Sequence, residues 1–248
     1  MLDLGTTFLA AVEREPDREA IVDGDVRLTY ADYYKRISGL VASFDRVGLK
    51  PGDHLVSALR NRWQAAVLHW ACQFSGVILT PVNWRSKADE VNYAVTDSEA
   101  RAIVFEDVSA EGVRGAELDA KLPRITLDEC RDGEASFADL ISGDAPGAKP
   151  RADAEAWSIM LYTSGTTSRP KGVPRRQRAE RAAAIAHIAQ NLYAYGERTL
   201  GVMPLYHTMG VRSLLASVLT NGTFVCMPKF DAGEAIAIIE REKIDNLY

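Results

Sequence analysis

"YTSGTTSRPKG", Tyr162 to Gly172, gathers five aliphatic hydroxyls, two glycines and one lysine into eleven residues. A hydrophobic core has no use for that composition. The stretch completes an apolar strand pattern, "WSIMLYT", and precedes a long helical pattern that runs to about Tyr195. A strand–loop–helix order puts the loop at the carboxyl end of a parallel strand, where open α/β sheets bind ligands. Gly165 lets a backbone approach a ligand with no Cβ in the way. Thr163, Ser164, Thr166, Thr167 and Ser168 can donate hydroxyl protons alongside backbone N–H groups, which suits phosphate oxygens. Lys171 adds a mobile positive charge, and charge-assisted hydrogen bonds to phosphate are roughly twice as strong as neutral ones. The loop is not a Walker A motif, because Lys171 follows Pro170 and precedes Gly172 instead of Ser or Thr.

Outward from this loop, short apolar strands alternate with helical patterns. "AIVDGDVRLTY" reads as a hairpin turning at Asp23–Gly24, and Thr29 and Gly48 bracket the helix that follows. Strands "HLVSAL", "VILTPVN" and "RAIVFE" alternate with helices "NRWQAAVLHWACQFSG" and "KADEVNYAVTDS". From Thr199, strands "TLGVMP", "TFVCMP" and "IDNLY" alternate with helices "MGVRSLLASVLTNG" and "GEAIAIIEREK". The expected fold is α/β, with layered, mostly parallel sheets and flanking helices. Residues 54–105 and 199–248 share one strand–helix–strand–helix–strand plan, a coarse architectural duplication without matching side chains. The chain divides into a first α/β layer at 1–106, a loose connector at 107–155, and the phosphate-loop strand with the start of a second layer at 156–248.

Composition narrows the function classes. Of the 248 residues, 47% are hydrophobic and 25% charged, as in an ordinary globular protein, and the net charge of −5 argues against a chain-wide polyanion surface. The basic run "RRQRAER", Arg175 to Arg181, has no interleaved aromatics and reads as the solvated face of a helix start, so no nucleic-acid partner is expected. No apolar run reaches the about 20 residues of a membrane span. The N-terminus lacks a basic region before its apolar residues and does not read as a secretory leader. Cys72, Cys130 and Cys226 are odd in number and widely spaced, which suggests reduced structural thiols in a cytoplasmic protein. His54, His69, His187 and His207 show no metal-ligand pairing; His69 and His187 sit in helical patterns and read as satisfied structural histidines. No metal-ligating residue is expected.

"YTSGTTSRPKG" resembles the phosphate-binding signature of the adenylate-forming, AMP-binding superfamily: acyl- and aryl-CoA ligases, luciferases and peptide-synthetase adenylation domains. Every specified position agrees but one, Ser168 standing where the family usually has glycine. "MPLYHTMG", Met203 to Gly210, resembles the family's second core motif, and "TPVNWRSKADEVNYAVTDSEARAIV" an earlier segment of its large domain. The resemblance implies an acid–CoA ligase. A carboxylate attacks the α-phosphate of ATP, pyrophosphate leaves, and the acyl-adenylate passes its acyl group to CoA. By position, Thr163, Ser164, Gly165, Thr166, Thr167 and Lys171 inherit the binding of ATP phosphates, with Mg²⁺ carried on the nucleotide. His207 inherits a place beside the bound carboxylate, with Tyr206 as the weaker candidate.

Family members are longer. The resemblance implies that the adenine-binding segment, the acidic residues near the metal and ribose, the hinge and the small C-terminal domain with its catalytic lysine lie beyond Tyr248, in a missing C-terminal part of the same protein. No catalytic residue is therefore assigned within this chain. The alternatives are a non-catalytic nucleotide-binding or interaction fragment and a peptide-synthetase adenylation domain; the absence of a visible carrier or condensation module favours the CoA ligase. If the family glycine has positive φ, serine at 168 costs about 1 kcal/mol. A tolerated variant is expected, so Ser168→Gly should leave turnover almost unchanged; a rise of about tenfold, about 1.4 kcal/mol of barrier, would show a retuned loop instead.

Overall fold

Asp3 and Thr29 open the first two helices through their side chains. Asp3 accepts from Thr6 N to start α1 (Leu4–Arg14), and Thr29 and Asp32 form a reciprocal capping box at the start of α2 (Tyr30–Arg46). The structure, a computed structural model, describes residues 2–143, 145–163 and 169–247. Between the two helices lies the hairpin of β1 (Glu19–Asp23) and β2 (Val26–Thr29), with Asp23 paired to Val26. The central pair of its turn is therefore Gly24–Asp25, one residue beyond the expected position, and Gly24 carries the positive φ of 58° that such turns require.

The chain continues through β3 (His54–Ala58), α3 (Trp63–Ser75), β4 (Ile78–Pro81), α4 (Ala88–Asp97) and β5 (Ala102–Phe105). A single 3₁₀ turn, Asp107–Ser109, leads to α5 (Ala110–Gly115), β6 (Arg124–Thr126), β7 (Glu134–Ser136) and α6 (Phe137–Ile141). Then come β8 (Trp157–Thr163), β9 (Lys171–Arg176), α7 (Gln177–Asn191), β10 (Arg198–Gly201), α8 (Thr208–Leu219), β11 (Thr223–Cys226), α9 (Ala232–Glu242) and β12 (Asn246–Leu247).

Among the described residues the strands form two sheets, ordered β12-β10-β11-β1-β2 and β7-β6-β5-β3-β4-β8-β9. Every pairing is parallel except the two hairpins, β1–β2 and β8–β9, whose second strands form sheet edges. The duplicated plan is visible in the topology. In each block the first strand, β3 or β10, lies centrally between the second and the third.

Alternation along the strands explains the layering. Leu55, Ala102 and Val104 join one core cluster with α1, α2, α3 and α8, whereas their neighbours Val56, Ile103 and Phe105 join another with α4 and α5. In the other sheet Ile21 and Phe224 face the first cluster, while Val22 and Val225 face α9. Successive side chains leave opposite faces of a strand, so both sheets are covered on both sides and share one middle layer of helices. That layer holds Phe8, whose ring lies 4.9 Å from Trp70 and 5.2 Å, edge-on, from Tyr33.

The sheets interleave along the chain. It begins in the five-stranded sheet, builds all of the seven-stranded one, and returns. The hairpin at 19–29 thus belongs with the C-terminal strands, since Ile21 pairs with Phe224, and β8–β9 belongs with the earlier ones. The stretch read as a loose connector contributes β6 and β7, which extend the parallel sheet beyond β5. Residues 171–176, read as the end of the loop and the start of a helix, form a strand antiparallel to β8. Its Pro174 is compatible with a strand because β9 lies at an edge.

The cysteines are all free, with Cys72 and Cys226 buried but Cys130 exposed, so only two of the three are structural. The basic run is also more engaged than a solvated helix face. Arg176 stacks 4.4 Å from the Trp157 ring, Arg178 pairs with Glu155 at 2.8 Å, and Arg181 donates to Thr7 Oγ1. No described helix is long and apolar enough to cross a membrane.

His69 is buried within α3, and its Nε2 has no hydrogen-bond partner among the described residues, which corrects the expectation of a satisfied histidine. Burial alone pushes its pKa from 6.5 down to about 3. The unfolded chain takes up this proton below pH 6.5 and the folded chain only near pH 3, so the stability is complete above 6.5 and is lost as pH falls through that window. His69→Leu should therefore flatten the fall in Tm between pH 6.5 and about pH 4. An unchanged slope would place the acid sensitivity elsewhere.

Candidate functional site

The β8–β9 hairpin frames the loop. Thr163 and Lys171 are directly opposite partners in the antiparallel register, and Thr163 Oγ1 lies 3.5 Å from the Lys171 carbonyl. Opposed residues of an antiparallel pair project to the same face, so a hydroxyl and an ammonium stand together at the hairpin mouth. Both residues are exposed. Ser164, Gly165, Thr166 and Thr167, together with Ser168, lie outside the described residues. The second glycine of the stretch has a packing reason, since a Cβ on Gly172 would come within 2.7 Å of Met160 Sδ.

Helix α4 holds the mouth from one side. Tyr93 Oη donates to the Pro170 carbonyl at 2.8 Å, and the Arg169 guanidinium lies over the Tyr93 ring. Tyr162 Oη donates to Asp97 Oδ2 at 2.8 Å, and the Tyr162 and Tyr93 rings meet edge-on. Burial, then the Asp97 carboxylate, raises the Tyr162 phenol above its ordinary range, so it stays a donor. Tyr93 and Asp97 are four residues apart on one helix face. That spacing was the available signal, but it does not say what the face touches.

His207 and Tyr206 occupy a corner between β10 and α8. His207 is the N-cap of α8, not the end of a strand, because β10 stops at Gly201. Its Nδ1 faces Met209 N at 3.5 Å and its backbone N–H donates to the Pro204 carbonyl. An Nδ1 that accepts leaves the proton of a neutral ring on Nε2. The ring is exposed and Tyr206 is half-buried. Gly210 closes the corner, since a Cβ there would come within 2.2 Å of the Pro204 carbonyl oxygen.

One strap, absent from the sequence reading, sets this corner against the seven-stranded sheet. Asn61 is buried, and its Nδ2 donates to the Gly201 and Met203 carbonyls, both at 2.8 Å, while its Oδ1 accepts from Leu205 N at 2.8 Å. On one side Arg60 pairs with the buried Glu106 just after β5; on the other, Trp63 N donates to Asp23 Oδ2 at the end of β1. Desolvation raises the Asp23 carboxyl, against the opposing Trp63 N–H and Arg62. In sequence, Asn61 reads as the first residue of the helical pattern "NRWQAAVLHWACQFSG", where an asparagine caps locally, which hides its long-range role.

A family profile described as AMP-binding enzyme matches residues 8–248. The chain belongs to the AMP-binding enzyme family. Among curated relatives, a long-chain-fatty-acid–CoA ligase of Mycobacterium tuberculosis, FadD13, is 26% identical over 249 residues, covering 98% of this chain and 49% of the relative. A 2-succinylbenzoate–CoA ligase of Bacillus licheniformis is 28% identical over 240 residues, with 94% and 46% covered. The chain thus spans about half the length of the curated relatives it matches. A crystal structure assigned to a long-chain-fatty-acid CoA ligase of Rhodopseudomonas palustris superimposes with a TM-score of 0.91 at 26% identity, covering 99% of this chain and 62% of that one. The N-terminal domain of FACL13 from M. tuberculosis shares the fold, with a TM-score of 0.87 at 23% identity and coverage of 98% and 62%. The layered α/β architecture is therefore that of the N-terminal domains of adenylate-forming enzymes.

The strap carries a stability expectation. Removing the Asn61 amide strands the buried Gly201 carbonyl and Leu205 N–H and the part-buried Met203 carbonyl, so Asn61→Ala should cost about 2–4 kcal/mol in chemical denaturation of the chain. A loss below about 0.5 kcal/mol would mean that water replaces the amide without cost.

Proposed function

We propose that this chain supplies the ATP-phosphate loop and part of the acid pocket of an acid–CoA ligase. The overall reaction joins a carboxylic acid to ATP as an acyl-adenylate, releases pyrophosphate, and forms a thioester with CoA. The observation that carries this reading is the pairing of Thr163 with Lys171 at the mouth of a hairpin whose loop sequence is the family signature. The acid–CoA ligases among the relatives support it.

The chemistry asked of these residues is electrostatic. An anionic carboxylate must approach an anionic phosphate, so positioned donors and charge do most of the work. Lys171 neutralises phosphate charge and the Thr163 hydroxyl orients it, with Ser164, Gly165, Thr166 and Thr167 proposed for the same cradle. His207 presents Nε2–H toward the acid, and Tyr206 flanks it. Mg²⁺ would screen the nucleotide phosphates when bound. Among the described residues no group of three or more His, Cys, Asp or Glu is suited to a metal ion, so these residues do not by themselves make a Mg²⁺ site. On this reading the protein works in the cytoplasm, which ATP and CoA as substrates and the free cysteines support.

The test is carboxylate-dependent exchange of labelled pyrophosphate into ATP, run on the protein made from its native gene and on the 248-residue chain. Exchange by the native product is expected. Its absence from both across aliphatic, alicyclic and aromatic acids would favour a nucleotide-binding protein without ligase activity. In the active protein, His207→Ala should raise KM for the acid about tenfold or more while leaving that for ATP within about twofold, and Lys171→Ala should do the reverse. Equal effects on both substrates would overturn the assignments.

A further inference from the structure

Glu180, in the first turn of α7, is fully buried and unused by the chemistry above. Arg175 of β9 meets it, with Nε 2.6 Å from Oε1. Arg212 of α8 is the second cation acting on it. Desolvation raises the Glu180 carboxyl, and Arg175 followed by Arg212 opposes that rise.

Both guanidiniums also reach the first turn of α8. Arg175 Nη1 donates to Thr208 Oγ1 at 3.2 Å, and Arg212 Nη1 lies 4.0 Å from Met209 Sδ. Thr208 directly follows His207. The corner is therefore held twice, upstream by Asn61 and downstream by a side chain from the strand that leaves residues 164–168.

The geometry of Arg175 separates a bridge from simple packing. Arginine binds a carboxylate most strongly as a two-pronged fork. Here Nε faces Glu180 on α7 as an ion pair without hydrogen-bond geometry, and Nη1 donates to Thr208 on α8. A buried ion pair by itself adds little to stability over an apolar pair of the same size. What the guanidinium adds, held by the Glu180 charge on one side and bonded to Thr208 on the other, is a link between the hairpin and the His207 corner. A displacement of β9 is carried to Thr208 through one rigid, planar group.

We propose that Arg175, oriented by Glu180, is a positioning residue that couples the phosphate hairpin to the His207 corner, so that ATP and acid tighten each other's binding. This rests on the ligase reading above. Coupling of this kind is reciprocal, so either substrate reports it.

The experiment measures the apparent KM for acid at limiting and saturating ATP in the protein made from its native gene, by pyrophosphate exchange. Thr208→Val keeps the shape and removes the acceptor. Arg175→Lys keeps the charge beside Glu180, but a single ammonium cannot span both partners. Each should reduce the ATP-dependent tightening of acid binding by about three- to tenfold, and the double variant should lose no more than either alone. A merely structural role would lower Tm without changing the synergy; unchanged synergy, or effects that multiply in the double variant, would overturn the proposal. A second arm does not depend on the ligase reading. In the ligand-free chain, amide hydrogen exchange across residues 205–212 should speed up by about fivefold or more in both single variants. Exchange equal to the parent's would show that Arg175 does not hold the corner. If the parent shows no carboxylate-dependent exchange of pyrophosphate, the ligase reading falls, and the clamp itself is decided by the hydrogen-exchange arm.

Discussion

Asn61 uses both Nδ2 protons and its Oδ1 on three backbone groups more than 130 residues away in sequence, a separation of 140 to 144 positions. Its neighbours Arg60 and Trp63 reach Glu106 and Asp23, at the ends of strands in different sheets. Five residues after β3 therefore tie the carboxyl ends of the two sheets together. A buried amide with all its bonds made has one orientation, because any rotation strands a carbonyl or an N–H. The sheets could otherwise slide over their shared helical layer, since apolar contacts are not directional. The position of His207 relative to the β8–β9 hairpin follows from this strap on one side and from the Arg175 contact on the other.

The two antiparallel hairpins have different uses of the same device. In the five-stranded sheet, β1–β2 ends the sheet and delivers the chain to Thr29 and its capped helix. In the seven-stranded sheet, β8–β9 carries the candidate phosphate loop at its tip. An edge hairpin gives such a loop two fixed stems. Tyr93 and Asp97 then tie the two sides of the hairpin to α4. A frame of fixed stems is what positioned donors need in order to act on an anion with little reorganisation.

Most elements were legible from periodicity. "RAIVF" and "TFVC" are short apolar runs bounded by turn or cap residues, as expected of parallel strands buried on both faces. Thr29 as an N-cap and Gly76 as a C-cap with a φ of 77° obey local rules that need no partner. β9 was not legible, because Lys171, Gly172, Pro174 and two arginines carry no strand propensity. It is a strand because β8 offers an unpaired edge. The pairing of β1 with β11 was equally hidden, since local alternation records which face is buried and not which strand lies beside it.

From the sequence alone came the α/β class, the duplicated block, the candidate ligand chemistry of Thr163 and Lys171, and the family resemblance. These are local properties: composition, spacing and the order of apolar runs. Only the tertiary structure decided that Asn61, Tyr93, Asp97, Arg175 and Glu180 lie around the candidate site, that His207 caps a helix, and that the first hairpin belongs with the last strands. Each of those facts depends on hydrogen bonds or pairings between residues far apart in the chain, whose partners are chosen by the packing of layers and leave no mark on the neighbouring sequence.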